Sequence, residues 1–259
     1  MKFLGIIPAR YASTRFPGKP LADLCGKPMI QRVYERVIGT VDELYVATDD
    51  TRIYDVVKDF GGKAVMTSKE HTSGTGRCRQ ALEIITRLKE GGHDDHFNVI
   101  INIQGDEPFV CPSQITLLKD CFNDPATKIA TLAKLIDKEE DMFNHNIPKV
   151  VITTCGRAMY FSRKAIPYYR GKEKTEWLQL HPYYKHIGLY AYRNDVLKEI
   201  SALSQSSAEI AEKLEQLRWL ENGYEIKVAI TTRETIGVDT PEDLVRAEEF
   251  LKRGGDYCI

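Results

Sequence analysis

Residues 3–21, with the sequence FLGIIPARYASTRFPGKPL, decide the fold that we expect for this chain. The first five of them form an apolar run typical of a buried strand, and a loop rich in turn-forming residues follows. Arg10, Arg15 and Lys19 lie on this loop, and open α/β sheets bind ligands beyond the carboxyl ends of their strands. Three cations there favour a polyanion such as a triphosphate, with a solvated basic loop as the alternative. Their spacing fits neither a Walker loop nor a dinucleotide glycine fingerprint.

The composition is that of an ordinary globular protein. The chain has 259 residues, of which 42% are hydrophobic and 28% charged, and its formal net charge is -1. Because there is no basic excess, we expect no nucleic-acid partner, and we expect neither a membrane span nor a cleaved leader. The six cysteines form neither a C-x-x-C pair nor a zinc pattern, so we expect reduced thiols in a cytoplasmic protein.

Apolar strands and amphipathic helices alternate through the first hundred residues, which predicts an α/β fold with a mainly parallel central sheet flanked by helices. We expect a single domain over residues 1–259, with a smaller β-rich lobe at about 149–192 for sugar binding or dimerisation. A loop over 167–185 is long enough to indicate a functional or interface role. Strands are predicted at 3–7, 43–48, 63–67, 97–103, 129–136, 149–154, 158–162, 186–192 and 224–231, and helices at 28–38, 51–60, 76–89, 112–122, 195–203, 207–221 and 241–252.

Two carboxylates stand where they suit a metal ion. Asp106 lies in QGDEP (104–108), directly after an apolar strand, and would face the same cavity as the opening loop. Asp239 lies in GVDTPEDL (237–244), just before a helix whose first turn carries its own capping residues. Capping therefore does not account for Asp239, whereas a turn cap is the alternative role for Asp106. Two such carboxylates beside a triphosphate cradle fit metal-assisted attack on phosphorus.

A third segment, HTSGT at 71–75, precedes a predicted helix. Hydroxyls and free backbone amides at the start of a helix can read the edge of a base or hold an anion. Plain N-capping by Ser73 or Thr75 is the alternative.

Six motifs resemble those of the 3-deoxy-manno-octulosonate cytidylyltransferases, also called CMP-KDO synthetases, and occur in the same order. They are IIPARYASTRFPGKPL (6–21), HTSGTGR (71–77), QGDEP (104–108), HIGLYAY (186–192), LEQLR (214–218) and GVDTPEDL (237–244). The resemblance implies a nucleotide-diphospho-sugar transferase-like fold and the reaction of CTP with KDO to give CMP-KDO and pyrophosphate, with Mg²⁺. It also implies a cytoplasmic homodimer that serves lipopolysaccharide biosynthesis.

The resemblance further implies roles for individual residues. Lys19, Asp106 and Asp239 would be catalytic, and the two aspartates would hold Mg²⁺. CTP would contact Arg10, Ser13, Arg15, Lys19, Ser73 and Gly74, and KDO would contact Gln104, Arg163, His186, Tyr190, Glu209 and Gln216. For the sugar-side residues, the alternatives are ordinary core, ion-pair and helix-surface roles.

The sequence departs from the family pattern at Gly76, which precedes Arg77 where the family commonly has Glu. The opening loop favours KDO over sialic acid, and an amino-substituted KDO is another alternative sugar. A protein that binds CTP without turning it over is an alternative of a different class, against which both metal carboxylates argue. The expected chemistry is in-line attack of the anomeric hydroxyl of KDO on the α-phosphorus of CTP, accelerated mostly by positioning and charge stabilisation.

Overall fold

The computed structural model describes residues 1–13, 15–89, 96–234 and 237–255, and these form two compact units. The first unit contains Met1–Thr116, Tyr192–Ser201 and the described residues from Arg233 onward, and the second contains Leu117–Ala191 and Ala202–Thr232. The lobe predicted at about 149–192 falls in the second unit except for its last residue. The expectation of a single domain stays a prediction.

The first unit is built on four parallel strands. β1 (Phe3–Ala9) lies between β2 (Glu43–Thr48) and β4 (Val99–Asn102), and β3 (Ala64–Met66) pairs with β2. Six of the seven residues of β1 are buried, as expected for a parallel strand covered on both faces. The predicted apolar strand before the opening loop is therefore confirmed, and the loops that follow β1 and β4 leave the same edge of the sheet.

Helices of the first unit begin where the sequence supplies caps. The carboxylate of Asp50 accepts a hydrogen bond from the backbone N–H of Arg52, and Thr240 and Asp243 form a capping box. These caps confirm the predicted starts of two helices. The helices that begin in this unit are α1 (Met29–Val37), α2 (Thr51–Asp59), α3 (Gly74–Lys89), α4 (Pro112–Asp120), α7 (Asn194–Ser201) and α10 (Pro241–Lys252).

The second unit contains a mixed sheet. β5 (Ile129–Leu135) runs parallel to β9 (Ile226–Ile230), while β6 (Lys149–Ile152) is antiparallel to β7 (Ala158–Ser162) and to β8 (Tyr184–Arg193). The predicted hairpin of β6 and β7 is thus confirmed. The helices of this unit are α5 (Glu139–Phe143), α6 (Trp177–Leu180), α8 (Ser207–Glu212) and α9 (Gln216–Glu221).

The prediction of an unstructured loop over 167–185 is wrong in part. The segment contains a 3-10 turn at Lys174–Glu176, followed directly by α6. Trp177 is buried and stacks on Tyr183 with ring centroids 6.1 Å apart. A helix this short draws its stability from such tertiary contacts, which the local sequence does not reveal.

The helix predicted over 207–221 is wrong as a single element. Lys213 has a φ of 54°, in the left-handed region, and ends α8 before α9 begins. Arg163 donates to the backbone carbonyls of Glu212 and Lys213 at 2.7 and 3.3 Å. Because these bonds satisfy carbonyls at the end of α8, a residue distant in sequence supports the break.

The expectation of six reduced cysteines is wrong at Cys111, which is disulfide-bonded. Cys25, Cys78, Cys121 and Cys155 are free thiols, and Cys258 lies outside the described residues. Spacing in the sequence does not reveal a disulfide, since the bond requires two cysteines to approach in space. Within the described ranges, no helix combines the length and the apolar character needed to cross a bilayer.

Candidate active site

A cavity of about 270 Å³ opens in the first unit, at the edge of the sheet where β1 and β4 end. Parallel pairing brings the segments after these strands to one place, and the start of α3 and the turn before α10 join them. The lining includes Arg10, Ser13, Arg15, Lys19, Ser73, Gly74, Gln104, Asp106 and Asp239. All residues that the sequence predicts for CTP and for the metal therefore lie around one cavity, together with one of those predicted for the sugar.

The opening loop is closed on itself by hydrogen bonds of its backbone. The N–H groups of Ser13 and Gly18 both donate to the carbonyl oxygen of Tyr11, at 3.0 and 2.9 Å. Gly18 has a φ of 72°, and a Cβ at this position would lie 3.1 Å from the Tyr11 ring, so the turn requires glycine. The guanidinium of Arg52 stacks over the same ring, 3.4 Å from its centroid. The cations of the loop are thus presented from a defined turn.

The ammonium group of Lys19 lies between the two predicted metal ligands. Its Nζ donates to Asp106 Oδ2 at 2.6 Å and to Asp239 Oδ1 at 3.1 Å, and Arg15 pairs with Asp239 Oδ2 at 3.2 Å. The Lys19 side chain is 12% exposed, whereas those of Asp106 and Asp239 are 33% and 46% exposed. Two cations and two anions thus balance one another at the mouth of the cavity. A polyphosphate and a metal ion can replace these contacts, since each charge would find a new partner.

Asp239 reaches the cavity because two turns are tied together. The backbone N–H of Val238 donates to the carbonyl oxygen of Asp106 at 2.8 Å, and Val238 is fully buried in an apolar cluster with Phe109. The carboxylate of Asp243 accepts from the backbone N–H of Asp239 at 3.0 Å. Capping is therefore carried by Asp243, and the side chain of Asp239 is left for other partners, as the sequence predicts.

Glu107 is an acidic residue of this region to which the sequence assigns no role. Burial, together with the negative charges of Asp106 and Asp239, raises the pKa of Glu107 to about 8. Its Oε2 atom is buried and has no hydrogen-bond partner among the described residues. Glu107 is therefore a neutral acid at pH 7 and adds no third negative charge to the carboxylate pair.

The start of α3 forms another wall of the cavity. The hydroxyl of Ser73 accepts a hydrogen bond from the backbone N–H of Gly76 at 3.2 Å, which confirms an N-capping role for Ser73. Arg77 is buried and donates to Asp49 at 2.8 Å and to the Thr67 hydroxyl at 2.6 Å. Its charge is thus neutralised within the protein, and its guanidinium forms a rigid part of the wall.

The carboxylate pair fits a divalent ion that is bound together with a nucleotide. Oxygens of Asp106 and Asp239 already converge on one cation, the Lys19 ammonium, and carboxylate oxygens are ligands that Mg²⁺ prefers. Across residues 1–13, 15–89, 96–234 and 237–255, no group of three or more His, Cys, Asp or Glu residues could hold a metal ion. Substrate phosphates and water would therefore complete the coordination, as is usual for Mg²⁺.

In the second unit, Arg163 is held by backbone carbonyls. Its guanidinium donates to His145 at 3.1 Å as well as to Glu212 and Lys213, and its backbone N–H donates to the Glu212 carboxylate at 3.0 Å. The side chain therefore ties the end of α8 to the segment before β6. Contact with a sugar stays a prediction for this residue.

Glu209 is the partner of Arg218. Its carboxylate accepts from Nε and NH2 of Arg218 at 2.7 and 2.6 Å and from the backbone N–H of Ser206 at 3.3 Å. Burial opposes ionisation, yet the hydrogen bonds and charge of Arg218 keep the pKa of Glu209 below its usual value. This pair joins α8 to α9, and a sugar contact by Glu209 stays a prediction.

His186 and Tyr190, two further predicted sugar residues, are in ring contact with each other. The ring of His186 is 5.3 Å from that of Tyr190, which is 5.1 Å from that of Trp219 on α9. Gln216 precedes Trp219 by one helical turn and is buried, and its Nε2 has no hydrogen-bond partner among the described residues. Desolvation lowers the pKa of His186 to about 3, so its imidazole is neutral throughout the physiological range.

Comparison with known proteins identifies the family of the chain. The cytidylyltransferase family profile matches residues 4–229. The 3-deoxy-manno-octulosonate cytidylyltransferases of Parabacteroides distasonis and Bacteroides thetaiotaomicron are 61% and 62% identical to the chain over 255 residues. Each alignment covers 97% of this chain, and the two alignments cover 98% and 99% of the respective relatives. The chain belongs to this cytidylyltransferase family.

Solved structures agree with the fold of the cytidylyltransferase. A structure of CMP:2-keto-3-deoxy-manno-octonic acid synthetase complexed with CTP is 42% identical, with a TM-score of 0.86 over 98% of this chain and 100% of that one. A 4-diphosphocytidyl-2C-methyl-D-erythritol synthase from Anaerococcus prevotii, at 14% identity and a TM-score of 0.58, covers 97% of this chain and 99% of its own and shares the fold alone. The predicted nucleotide-diphospho-sugar transferase-like α/β fold, with a mainly parallel central sheet and flanking helices, is confirmed.

Glu107 and the pair of Arg77 and Asp49 are features of the cytidylyltransferase site that the sequence does not predict equally well. Glu107 directly follows Asp106, so a third acid beside the metal carboxylates is visible in QGDEP, although its burial is not. The pair of Arg77 and Asp49 joins residues 28 positions apart, and no local pattern signals it.

Proposed function

We propose that this cytidylyltransferase transfers the cytidylyl group of CTP to the anomeric hydroxyl of KDO and releases pyrophosphate, for lipopolysaccharide biosynthesis. The observation that carries the proposal is that the cations of the opening loop meet Asp106 and Asp239 in one cavity. Relatives at 61% and 62% identity are named for this activity, and their alignments span almost the whole chain.

The opening loop binds the triphosphate. Arg15 and Lys19 give up their contacts with Asp239 and donate instead to phosphate oxygens, which carry more negative charge. Arg10 and Ser13, which line the same cavity, add a further cation and a hydroxyl. The loop therefore neutralises charge that builds on the leaving pyrophosphate, and this stabilises the transition state more than the ground state.

Asp106 and Asp239, once released from Lys19, would hold Mg²⁺ together with the phosphates. When bound, Mg²⁺ supplies charge stabilisation at the phosphorus under attack and lowers the pKa of the sugar hydroxyl. Desolvation raises the pKa of Glu107, which directly follows Asp106, and this limits the negative charge beside the pair in the free protein. Ser73 and Gly74, at the start of α3, are assigned to the cytosine end of CTP.

We assign the sugar contacts to Gln104 in the cavity lining and to His186, Tyr190 and Gln216 in the second unit. Gln216 supports this assignment best, because a buried amide without a partner costs free energy unless a ligand pairs with it. Arg163 and Glu209, whose charged groups already have protein partners, contribute by holding α8 and α9 in position.

A pyrophosphate-release assay with CTP tests the proposal. The protein should release pyrophosphate with KDO in the presence of Mg²⁺ and not after chelation of the metal. Parallel reactions contain sialic acid or an amino-substituted KDO. Faster release of pyrophosphate with one of these sugars would identify that sugar, and not KDO, as the substrate. Binding of CTP without release of pyrophosphate with any sugar would indicate the non-catalytic alternative.

We also propose that the enzyme is a cytoplasmic homodimer. Sedimentation of the purified protein tests the assembly, and a monomer across the micromolar range would contradict it. Fractionation of cells that express the tagged chain tests the location.

A further inference from the structure

His71 lines the nucleotide cavity, and its hydrogen bond decides which of its ring nitrogens carries the proton. Its Nε2 lies 2.7 Å from the Oε1 of Gln80, and the backbone N–H of Ser68 donates to the same atom, also at 2.7 Å. A backbone N–H can only donate, so this atom of Gln80 is the amide oxygen and accepts. Nε2 of His71 therefore carries the proton, and Nδ1 of the neutral ring is an acceptor.

The Nδ1 side of the ring faces Gly76, in the first turn of α3. A Cβ built on Gly76 would lie 3.3 Å from His71 Nδ1 and 3.6 Å from Ser73 Oγ. Nδ1 has no hydrogen-bond partner among the described residues. Ser73 also lines the cavity, and its oxygen accepts from the backbone N–H of Gly76, so its own proton is left to donate. An acceptor on His71 and a donor on Ser73 thus both belong to residues that line the cavity.

We propose that His71 is a specificity-determining residue for the base of the nucleotide. Nδ1 accepts a hydrogen bond from the exocyclic amine of cytosine, while the Ser73 hydroxyl donates to the neighbouring ring nitrogen. Uracil has a carbonyl oxygen in place of the amine, and this oxygen would face the lone pair of Nδ1 without a proton between them. This inference rests on the proposed use of CTP.

Gln80 is a positioning residue in this arrangement. It lies on α3 and does not line the cavity, yet its oxygen holds the proton of His71 on Nε2. Without that acceptor the ring can take the other tautomer, in which Nδ1 donates and suits the uracil carbonyl. Selectivity for the base should therefore depend on Gln80 even though Gln80 does not touch the nucleotide.

The test compares CTP with UTP in the full-length protein and in three variants. His71→Phe keeps an aromatic ring but removes the acceptor at Nδ1, and Gln80→Leu keeps the imidazole but releases its tautomer. Glu70→Gln, on an exposed residue next to His71 that does not line the cavity, is the control. Dissociation constants for both nucleotides are measured by calorimetry without sugar, and kcat/KM for both is measured with KDO.

The preference for CTP over UTP should fall about 10-fold or more in His71→Phe and in Gln80→Leu, and should be unchanged in Glu70→Gln. Equal losses of affinity for both nucleotides in the first two variants would overturn the inference, since a merely structural role weakens both alike. Binding is measured without turnover, so an enzyme that releases no pyrophosphate contradicts the proposed function while the inference is still tested. An unchanged preference in a folded His71→Phe protein would also overturn it.

Discussion

Charged side chains serve different purposes in the nucleotide cavity and among the predicted sugar residues of the second unit. In the cavity, Lys19 and Arg15 pair with carboxylates that are 33% and 46% exposed, so a ligand can replace these contacts. In the second unit, Glu209 and Arg218 pair with each other, and their side chains are only 8% and 11% exposed. Arg163 donates to three backbone carbonyls. A charged residue is thus better placed to bind substrate when its ion pair in the free protein is exposed, because a ligand can then replace the partner.

The largest expected effect comes from removing either cavity carboxylate. Asp106→Asn and Asp239→Asn should each lower kcat/KM about 100- to 1000-fold, because each removes charge that holds the metal against the phosphates. Steady-state kinetics measure this effect. Thermal unfolding should be unchanged in both variants, and Asp59→Asn, on an exposed residue of α2, should keep normal kinetics. Normal turnover in both cavity variants would contradict the assignment of Asp106 and Asp239 as metal ligands.

Breaking the buried pair of the second unit should reduce stability. Glu209→Ala leaves the Arg218 guanidinium buried without its carboxylate, so the free energy of unfolding should fall by about 3 kcal/mol. Urea denaturation measures this change, and Asp239→Ala is the matched variant for the exposed pair, with a change below about 1 kcal/mol. If Glu209→Ala kept its stability and raised only KM for the sugar, Glu209 would be a substrate contact and the contrast would fail.

Glu107 directly follows Asp106 but does not line the cavity. Its pKa is about 8 in the folded protein and near 4.5 when exposed, so the folded state retains a proton that the unfolded state loses between these values. Stability should therefore fall as pH rises from 5 to 8, on the order of 2 kcal/mol from this group. Glu107→Gln cannot ionise and should remove this part of the slope. Urea denaturation of metal-free protein at pH 5 and pH 8 measures it, and parallel slopes in both proteins would contradict the burial of Glu107.

The smallest expected effect tests whether Lys19 competes with the metal for the carboxylates. Without nucleotide, Lys19→Met should bind Mn²⁺ about 10-fold more tightly, since the ammonium no longer neutralises Asp106 and Asp239. Arg10→Met removes an equal charge from the same cavity, but no hydrogen bond or ion pair joins Arg10 to either carboxylate, so its effect should be smaller. Electron paramagnetic resonance of free Mn²⁺ measures both. Equal increases in Mn²⁺ affinity in the two variants would show that Lys19 acts only through the overall charge of the cavity and does not compete with the metal for the carboxylates.

Local signals predicted much of the cavity. The apolar run of β1, the cap at Asp50 and the capping box of Thr240 and Asp243 each depend on residues a few positions apart. Because the loops after parallel strands leave one edge of a sheet, the alternation of strands and helices also indicated which motifs would share a cavity. The residues predicted for CTP and the metal do line one cavity.

Long-range pairing was outside the reach of such signals. The break at Lys213 coincides with hydrogen bonds from Arg163, about 50 positions away, and α6 depends on burial of Trp177. In the same way, the helical pattern of 207–221 does not reveal that Glu209 already has Arg218 as its partner.

The sequence by itself determined which chemical groups follow each strand, since turns, caps and apolar runs are local. Only the tertiary structure decided which partner each group has. Lys19 meets Asp106 across 87 positions and Asp239 across 220, and Arg77 meets Asp49 across 28. A carboxylate can bind a metal, hold a helix or remain protonated, and the choice depends on burial and on neighbouring charges that folding alone brings together.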